Sequence, residues 1–248
     1  MRGSTVVDAN PYDSTFYLRQ QKVALSSAQH IVPLVLELLQ PQSVVDVGCG
    51  DGTWLSEFQR CGIKTVLGFD GDYVGRGTLK LDTNCFEPRD LQKDYQITRV
   101  FELAVSLEVA EHLPAECAVP FVHFLCSLAP AVLFSAAIPM QGGRQHLNEQ
   151  WQDYWAERFL AEGFNPIDCI RARVWENNSV AVWYAQNTLL YVKRVFLDQQ
   201  PELLNLAAQH KSLPLNIVHP RLFLQLMEPK PRSGFGRVKA RLKQWLKP

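Results

Sequence analysis

The run Val44-Val-Asp-Val-Gly-Cys-Gly-Asp-Gly-Thr-Trp54 constrains this chain more than any other. Ser43-Val-Val-Asp-Val ends abruptly in alternating glycines, which predicts a buried parallel strand followed by a tight main-chain bend. Such a bend lets a bulky ligand lie against the backbone at the carboxyl end of a strand, where open α/β sheets bind their ligands. Around it the spacing predicts a helix over Ser27–Leu39, closed by Pro41, and another over Thr53–Arg60. Strands are expected at Thr65–Asp70, Phe101–Leu107 and Ala131–Ala137, with a helical stretch over Pro114–Leu128. Alternating strands and helices imply a doubly wound α/β sheet, because parallel strands need crossover connections. Ile167–Val174 and Thr188–Val192 have no long helix between them, so they are expected to close the sheet as an antiparallel pair.

The 248 residues carry 25 Lys and Arg against 25 Asp and Glu, and 47% are hydrophobic. That balance excludes a mainly disordered chain and any strong overall attraction to nucleic acid. It hides an asymmetry: residues 229–248 hold seven Lys and Arg and no acid, which leaves the rest at −7. Arg237–Lys247 is expected to form an amphipathic helix suited to an anionic membrane surface or RNA. The uncharged stretch Cys117–Met140 is divided by Pro120, Pro130 and Pro139, so it is not expected to span a membrane. The opening residues lack the apolar core of a signal peptide, and six scattered cysteines with no CxxC pair suit buried free thiols. A cytoplasmic location is the expectation.

A dinucleotide loop would read G-x-G-x-x-G, whereas Gly48, Gly50 and Gly52 read G-x-G-x-G with Asp46 and Asp51 beside them. Acids there repel a pyrophosphate and suit a ligand carrying positive charge. This D-x-G-x-G-x-G pattern resembles the first motif of the class I S-adenosylmethionine-dependent methyltransferases. The resemblance implies a Rossmann-like seven-stranded sheet over residues 27–195, with S-adenosyl-L-methionine as cofactor. It places Asp46, Gly48, Cys49 and Gly50 against the cofactor, Asp70 and Gly71 at its ribose, Asp90 and Leu91 at its adenine, and Leu107 nearby. Residues 1–26 are then expected to form an N-terminal lid segment, and 196–248 a helical extension carrying the basic tail.

After the next strand comes Ser106-Leu-Glu-Val-Ala-Glu-His-Leu-Pro. Glu108, Glu111 and His112, at i, i+3 and i+4, share one face of a turn, where two carboxylates and an imidazole can share a cation. Hard oxygens with a nitrogen suit Mg²⁺ or another divalent metal. This E-x-x-E-H resembles the metal motif of ubiquinone-biosynthesis O-methyltransferases and of small-RNA 3′-terminal 2′-O-methyltransferases. The latter add a further histidine, for which His146 stands in the corresponding loop. The expected ligands are therefore Glu108, Glu111, His112 and His146, with the metal activating an acceptor hydroxyl. Without a metal, His112 or His146 is the expected general base in a catalytic cluster with Glu111. Trp151 is expected at the substrate, and Tyr12 and Tyr17 over the cofactor. The expected acceptor is a small molecule or glycan hydroxyl. RNA 2′-O-methylation and a non-catalytic cofactor-binding role are the alternatives.

Overall fold

The first strand forms over Ser43–Val47 (β1), and its three valines are fully buried. Side chains alternate across a strand, so Val44 and Asp46 face one side of the sheet while Val45 and Val47 face the other. A computed structural model describes residues 14–96, 98–210 and 213–227. Its first half runs α1 (Ser14–Leu39), β1, α2 (Thr53–Arg60), β2 (Thr65–Asp70), β3 (Phe86–Pro88), β4 (Leu103–Leu107), α3 (Ala118–Leu128) and β5 (Ala131–Ser135). It continues through α4 (Gln152–Ala161), β6 (Phe164–Ile167), α5 (Arg171–Val174), α6 (Val182–Asn187), β7 (Leu189–Lys193), α7 (Arg194–Leu197), α8 (Pro201–His210) and α9 (Pro220–Met227).

The seven strands form one sheet in the order β3-β2-β1-β4-β5-β7-β6. Neighbours from β3 to β5 pair in parallel, and β7 runs antiparallel to both β5 and β6. The expected doubly wound sheet with its antiparallel closing strands is therefore present. Both faces are covered. Ile31, Val32 and Val35 of α1 and Leu55 and Phe58 of α2 pack on one face, while Phe121 and Leu125 of α3 and Trp155 and Phe159 of α4 pack on the other. The chain winds outward from β1 to β3, then returns past β1 to β4. The carboxyl ends of β1 and β4 thus lie side by side where the winding reverses, the position that opens a crevice in such sheets.

One expectation is corrected, and two others are located. Residues 14–26, assigned to a lid segment, are the first half of α1, continuous with the helix expected over Ser27–Leu39. Within α1, Gln21–Leu39 is the one helix among the described residues with the length and apolar character to cross a membrane. Its Ala28, Ile31, Val32 and Val35 are instead buried in the core. The strand expected over Ile167–Val174 is displaced: the strand is Phe164–Ile167, and Arg171–Val174 is helical. The reason is Arg171, whose buried guanidinium donates to Asp168, three residues back, and to the carbonyl of Leu215 at 2.7 Å. Asp168 lies between the end of β6 and the first residue of α5, so the pair holds Arg171 at the start of the helix. Finally, Tyr12 and the tail at 229–248, with the membrane or RNA contact expected of it, lie outside the described residues.

Candidate functional site

The glycine bend after β1 is tied to the end of β2. The amides of Gly48 and Cys49 donate to the Phe69 carbonyl, at 2.7 and 3.1 Å, and the Gly50 amide donates to Asp70 Oδ2 at 2.7 Å. Asp70 Oδ1 accepts from the Gly71 amide at 2.7 Å and from the Tyr73 hydroxyl. Asp70 is 5% exposed, so this carboxylate organises the loop from within. Asp46 is buried beneath the same bend. Burial raises its pKa well above the usual carboxylate range, and the charges of Asp70 and then Asp51 add to the effect. Asp51 itself has other work: it accepts from the Thr53 amide and hydroxyl at the start of α2 and pairs with Lys80 at 3.1 Å.

Gly48 has φ +86°, and a Cβ there would lie 2.4 Å from Val109 Cγ2. The loop after β1 therefore touches the loop after β4 directly, through a valine that the sequence reading did not single out. Gly48→Ala combines left-handed strain with this collision and should destabilise the protein by about 2–4 kcal/mol in urea unfolding. An unchanged midpoint would show that the two loops are not in contact.

The other expected cofactor residues are placed less uniformly. At Gly50 an added Cβ would meet nothing within 4 Å, so the bend presents open backbone there. Cys49 and Leu107 are buried in the core face that contains Val44. Asp90 is exposed and pairs with Lys93 at 2.9 Å, and that bond, with the Gln92 amide, lowers its pKa. Leu91 is buried in the opposite core face with Phe69 and Phe124.

Across the crevice, the E-x-x-E-H stretch does not act as one set. Glu108 adopts φ +57°, and its carboxylate has partners of its own. Its carboxylate accepts from Gln141 Nε2 at 2.8 Å and Asn187 Nδ2 at 3.2 Å. Burial raises its pKa, opposed by the Ser135, Asn187 and Gln141 hydrogen bonds. Glu111, His112 and His146 do converge, each offering a ligand atom within 4.8 Å of the others. Three of the four expected ligands are thus brought together, and Glu108 is the one held elsewhere.

Glu111 is fully buried, and neither carboxylate oxygen meets a hydrogen-bond donor of good geometry. Burial, then the nearby Glu108 charge, raises its pKa well above normal. The His112 and His146 rings meet edge to face, 4.8 Å between centroids. His112 Nδ1 faces the Gln145 carbonyl at 3.4 Å, and His146 Nδ1 faces Glu149 Oε1 at 2.8 Å. Both partners are acceptors only, so in the neutral form of each ring Nδ1 carries the proton and Nε2 keeps a lone pair. Although His112 retains an exposed edge, burial around its ring and then His146 lower its pKa, which keeps it neutral near pH 7. A buried carboxylate without a donor of good geometry, beside two imidazoles, is a donor set that suits a divalent cation.

Trp151 lies just before α4 and is 40% exposed, while Trp155 and Phe159 are core residues. Sequence reading missed Gln141, Asn187 and Glu149. Glu149, three residues after His146, had a detectable spacing; Asn187, 79 residues from Glu108, had none.

Residues 17–168 match the family described as a methyltransferase domain. No curated protein matches the sequence. Among solved structures, the sugar N-methyltransferase KedS8 from a Streptoalloteichus species is 15% identical with a TM-score of 0.56, covering 78% of this chain and 98% of that one. DesVI from Streptomyces venezuelae is 16% identical with a TM-score of 0.53, covering 72% and 95%. Human N-acetylserotonin methyltransferase, solved in complex with SAM, is 15% identical with a TM-score of 0.51, covering 72% and 55%. At such identities these neighbours speak for the fold alone, and it is the family match, spanning most of the chain and both loops of the crevice, that places this protein in the methyltransferase domain family.

Proposed function

We propose that this protein moves a methyl group from S-adenosyl-L-methionine to a hydroxyl of a small molecule or glycan, with a divalent metal at Glu111, His112 and His146. The observation that carries the reading is Glu111, a buried carboxylate lacking a good donor, with the His112 and His146 rings within 4.8 Å of it. It supports the likeness to the E-x-x-E-H subgroups, with Glu108 in a different role.

The glycine bend, open at Gly50, supports a nucleoside against the main chain, and in this reading Asp70 accepts from its sugar hydroxyls in place of the Tyr73 hydroxyl. The acidic lining favours the positive charge of a sulfonium, whose bound form would supply the activated methyl group. Glu111, His112 and His146 would hold a divalent ion, whose charge would lower the pKa of an acceptor hydroxyl. The chain's own residues do the rest. Val109 against Gly48 fixes the distance between the two loops. Gln141 and Asn187 hold the Glu108 carboxylate at the crevice, where it can accept a hydroxyl hydrogen from the substrate. Orienting both reactants in this way removes much of the entropic barrier to in-line transfer.

The test is calorimetry with S-adenosylmethionine and NAD, followed by labelled-methyl transfer to polyols, phenols, sugars and short RNA before and after chelation. Cofactor heat, with turnover that falls about tenfold or more on chelation and returns with Mg²⁺ or Mn²⁺, supports the reading. Full turnover after stripping removes the metal from it. Heat with NAD alone overturns it, and transfer confined to RNA ends moves it to the alternative acceptor.

A further inference from the structure

We infer that Glu149 is the positioning residue of this cluster, setting the tautomer of His146 and pinning the loop that carries it. The inference rests on the metal reading for its consequence but not for its geometry.

Glu149 accepts three hydrogen bonds. Oε1 takes His146 Nδ1 at 2.8 Å and the Gly142 amide at 2.9 Å, and Oε2 takes the Met140 amide at 2.8 Å. The two side chains in the pair are only 13% and 20% exposed, so water screens the contact weakly. A carboxylate cannot donate, so the proton of a neutral His146 must sit on Nδ1, leaving Nε2 as the ligating or basic nitrogen.

The loop is also one that would not hold its shape unaided. Met140, Gly142 and Gln145 all have left-handed backbone, at φ 69°, 73° and 59°. Such conformations persist for non-glycine residues only where the surroundings impose them. Glu149 binds the amides of two of these three residues. At the far end of the loop, the Leu147 and Asn148 amides donate to the Glu111 carbonyl at 2.7 and 3.0 Å. Gly143 completes the fit, because a Cβ there would lie 2.1 Å from His146 Nε2. One carboxylate outside the cluster therefore joins the loop fold to the direction of a ligand lone pair, the arrangement that orients metal-binding histidines generally.

The experiment uses the ¹⁵N-labelled full chain as wild type, Glu149→Ala and Glu149→Gln. Long-range ¹H–¹⁵N spectra of the metal-free protein at about pH 8, where imidazoles are neutral, read the His146 tautomer. Mn²⁺ titration followed by electron paramagnetic resonance reads affinity, and heat with S-adenosylmethionine reads the intact fold. Wild type should show His146 protonated on Nδ1 alone. Glu149→Ala should show the Nε2–H form and lose about 10–100-fold in Mn²⁺ affinity with cofactor heat retained. Glu149→Gln, with one carbonyl for three donors, should fall between them and serves if the alanine variant does not fold. A His146 tautomer and Mn²⁺ affinity unchanged in both variants would overturn the inference. A tautomer shift in a protein whose wild type binds no Mn²⁺ would uphold the positioning role and remove the metal.

Discussion

Glu111→Gln is expected to cut turnover by about 100-fold or more while making the metal-free protein more stable, because it removes a ligand charge and a costly buried carboxylate together. The opposition of the two effects follows from burial. Glu111 is fully buried with no good donor on either oxygen, and its pKa is raised by that burial and by Glu108. A carboxyl whose folded pKa is raised contributes its stability in acid, and that contribution is lost as pH rises through the folded pKa. The amide has no such dependence. The variant should therefore melt about 2–4 °C above wild type at pH 8, a gain of ~1 kcal/mol for a chain of this size, with the difference vanishing near pH 4. Mn²⁺ should reverse the order, since saturation at 100 times Kd adds about 2.7 kcal/mol to wild type alone. Differential scanning fluorimetry at both pH values, with and without Mn²⁺, checks this. A variant that melts lower than wild type at pH 8 without metal would mean that Glu111 is already compensated.

Asp70→Ala should weaken S-adenosylmethionine binding by about 100-fold or more and destabilise the fold by ~2–4 kcal/mol, because hydrogen bonds to a charged acceptor contribute about 1.5–3 kcal/mol each. Its carboxylate accepts from the amides of Gly50 and Gly71 and from the Tyr73 hydroxyl, joining the bend after β1 to the end of β2. Deleting it leaves those donors without their acceptor and also removes the group proposed to meet a ribose. Asp70→Asn, which keeps one acceptor oxygen, should lose less of both. Asp90→Ala is the control. Asp90 is exposed and already paired with Lys93, so its loss should change affinity by less than about tenfold. Calorimetry and urea unfolding on the three variants separate binding from folding. Comparable losses at Asp70 and Asp90 would contradict the central place given to Asp70.

The different standing of these two acids shows what the linear order could and could not convey. Both fall in the expected order after the glycine loop, and each alone reads as a loop carboxylate. Only the paired loops show that Asp70 is 5% exposed and bonded to Gly50, while Asp90 faces solvent. The same holds for E-x-x-E-H. Spacing at i, i+3 and i+4 puts three side chains on one face only if the backbone is a regular helix. Here Glu108 takes a left-handed φ and its carboxylate goes to Gln141 and Asn187, so the turn brings two side chains to His146 instead of three.

The chain's own pattern determined the sheet, its winding and the location of the crevice, because burial of β-branched runs and the spacing of glycines are local consequences of side-chain shape. Thr53–Arg60 and Thr65–Asp70 form where the pattern places them. Tertiary structure alone decided which polar groups meet. Arg171 turned an expected strand into a helix through Leu215, and Glu149 and Asn187 acquired roles through partners that spacing does not specify. The physical reason is that hydrophobic periodicity follows from the adjacent few residues, whereas a buried charge takes whichever distant donor the packed core delivers to it.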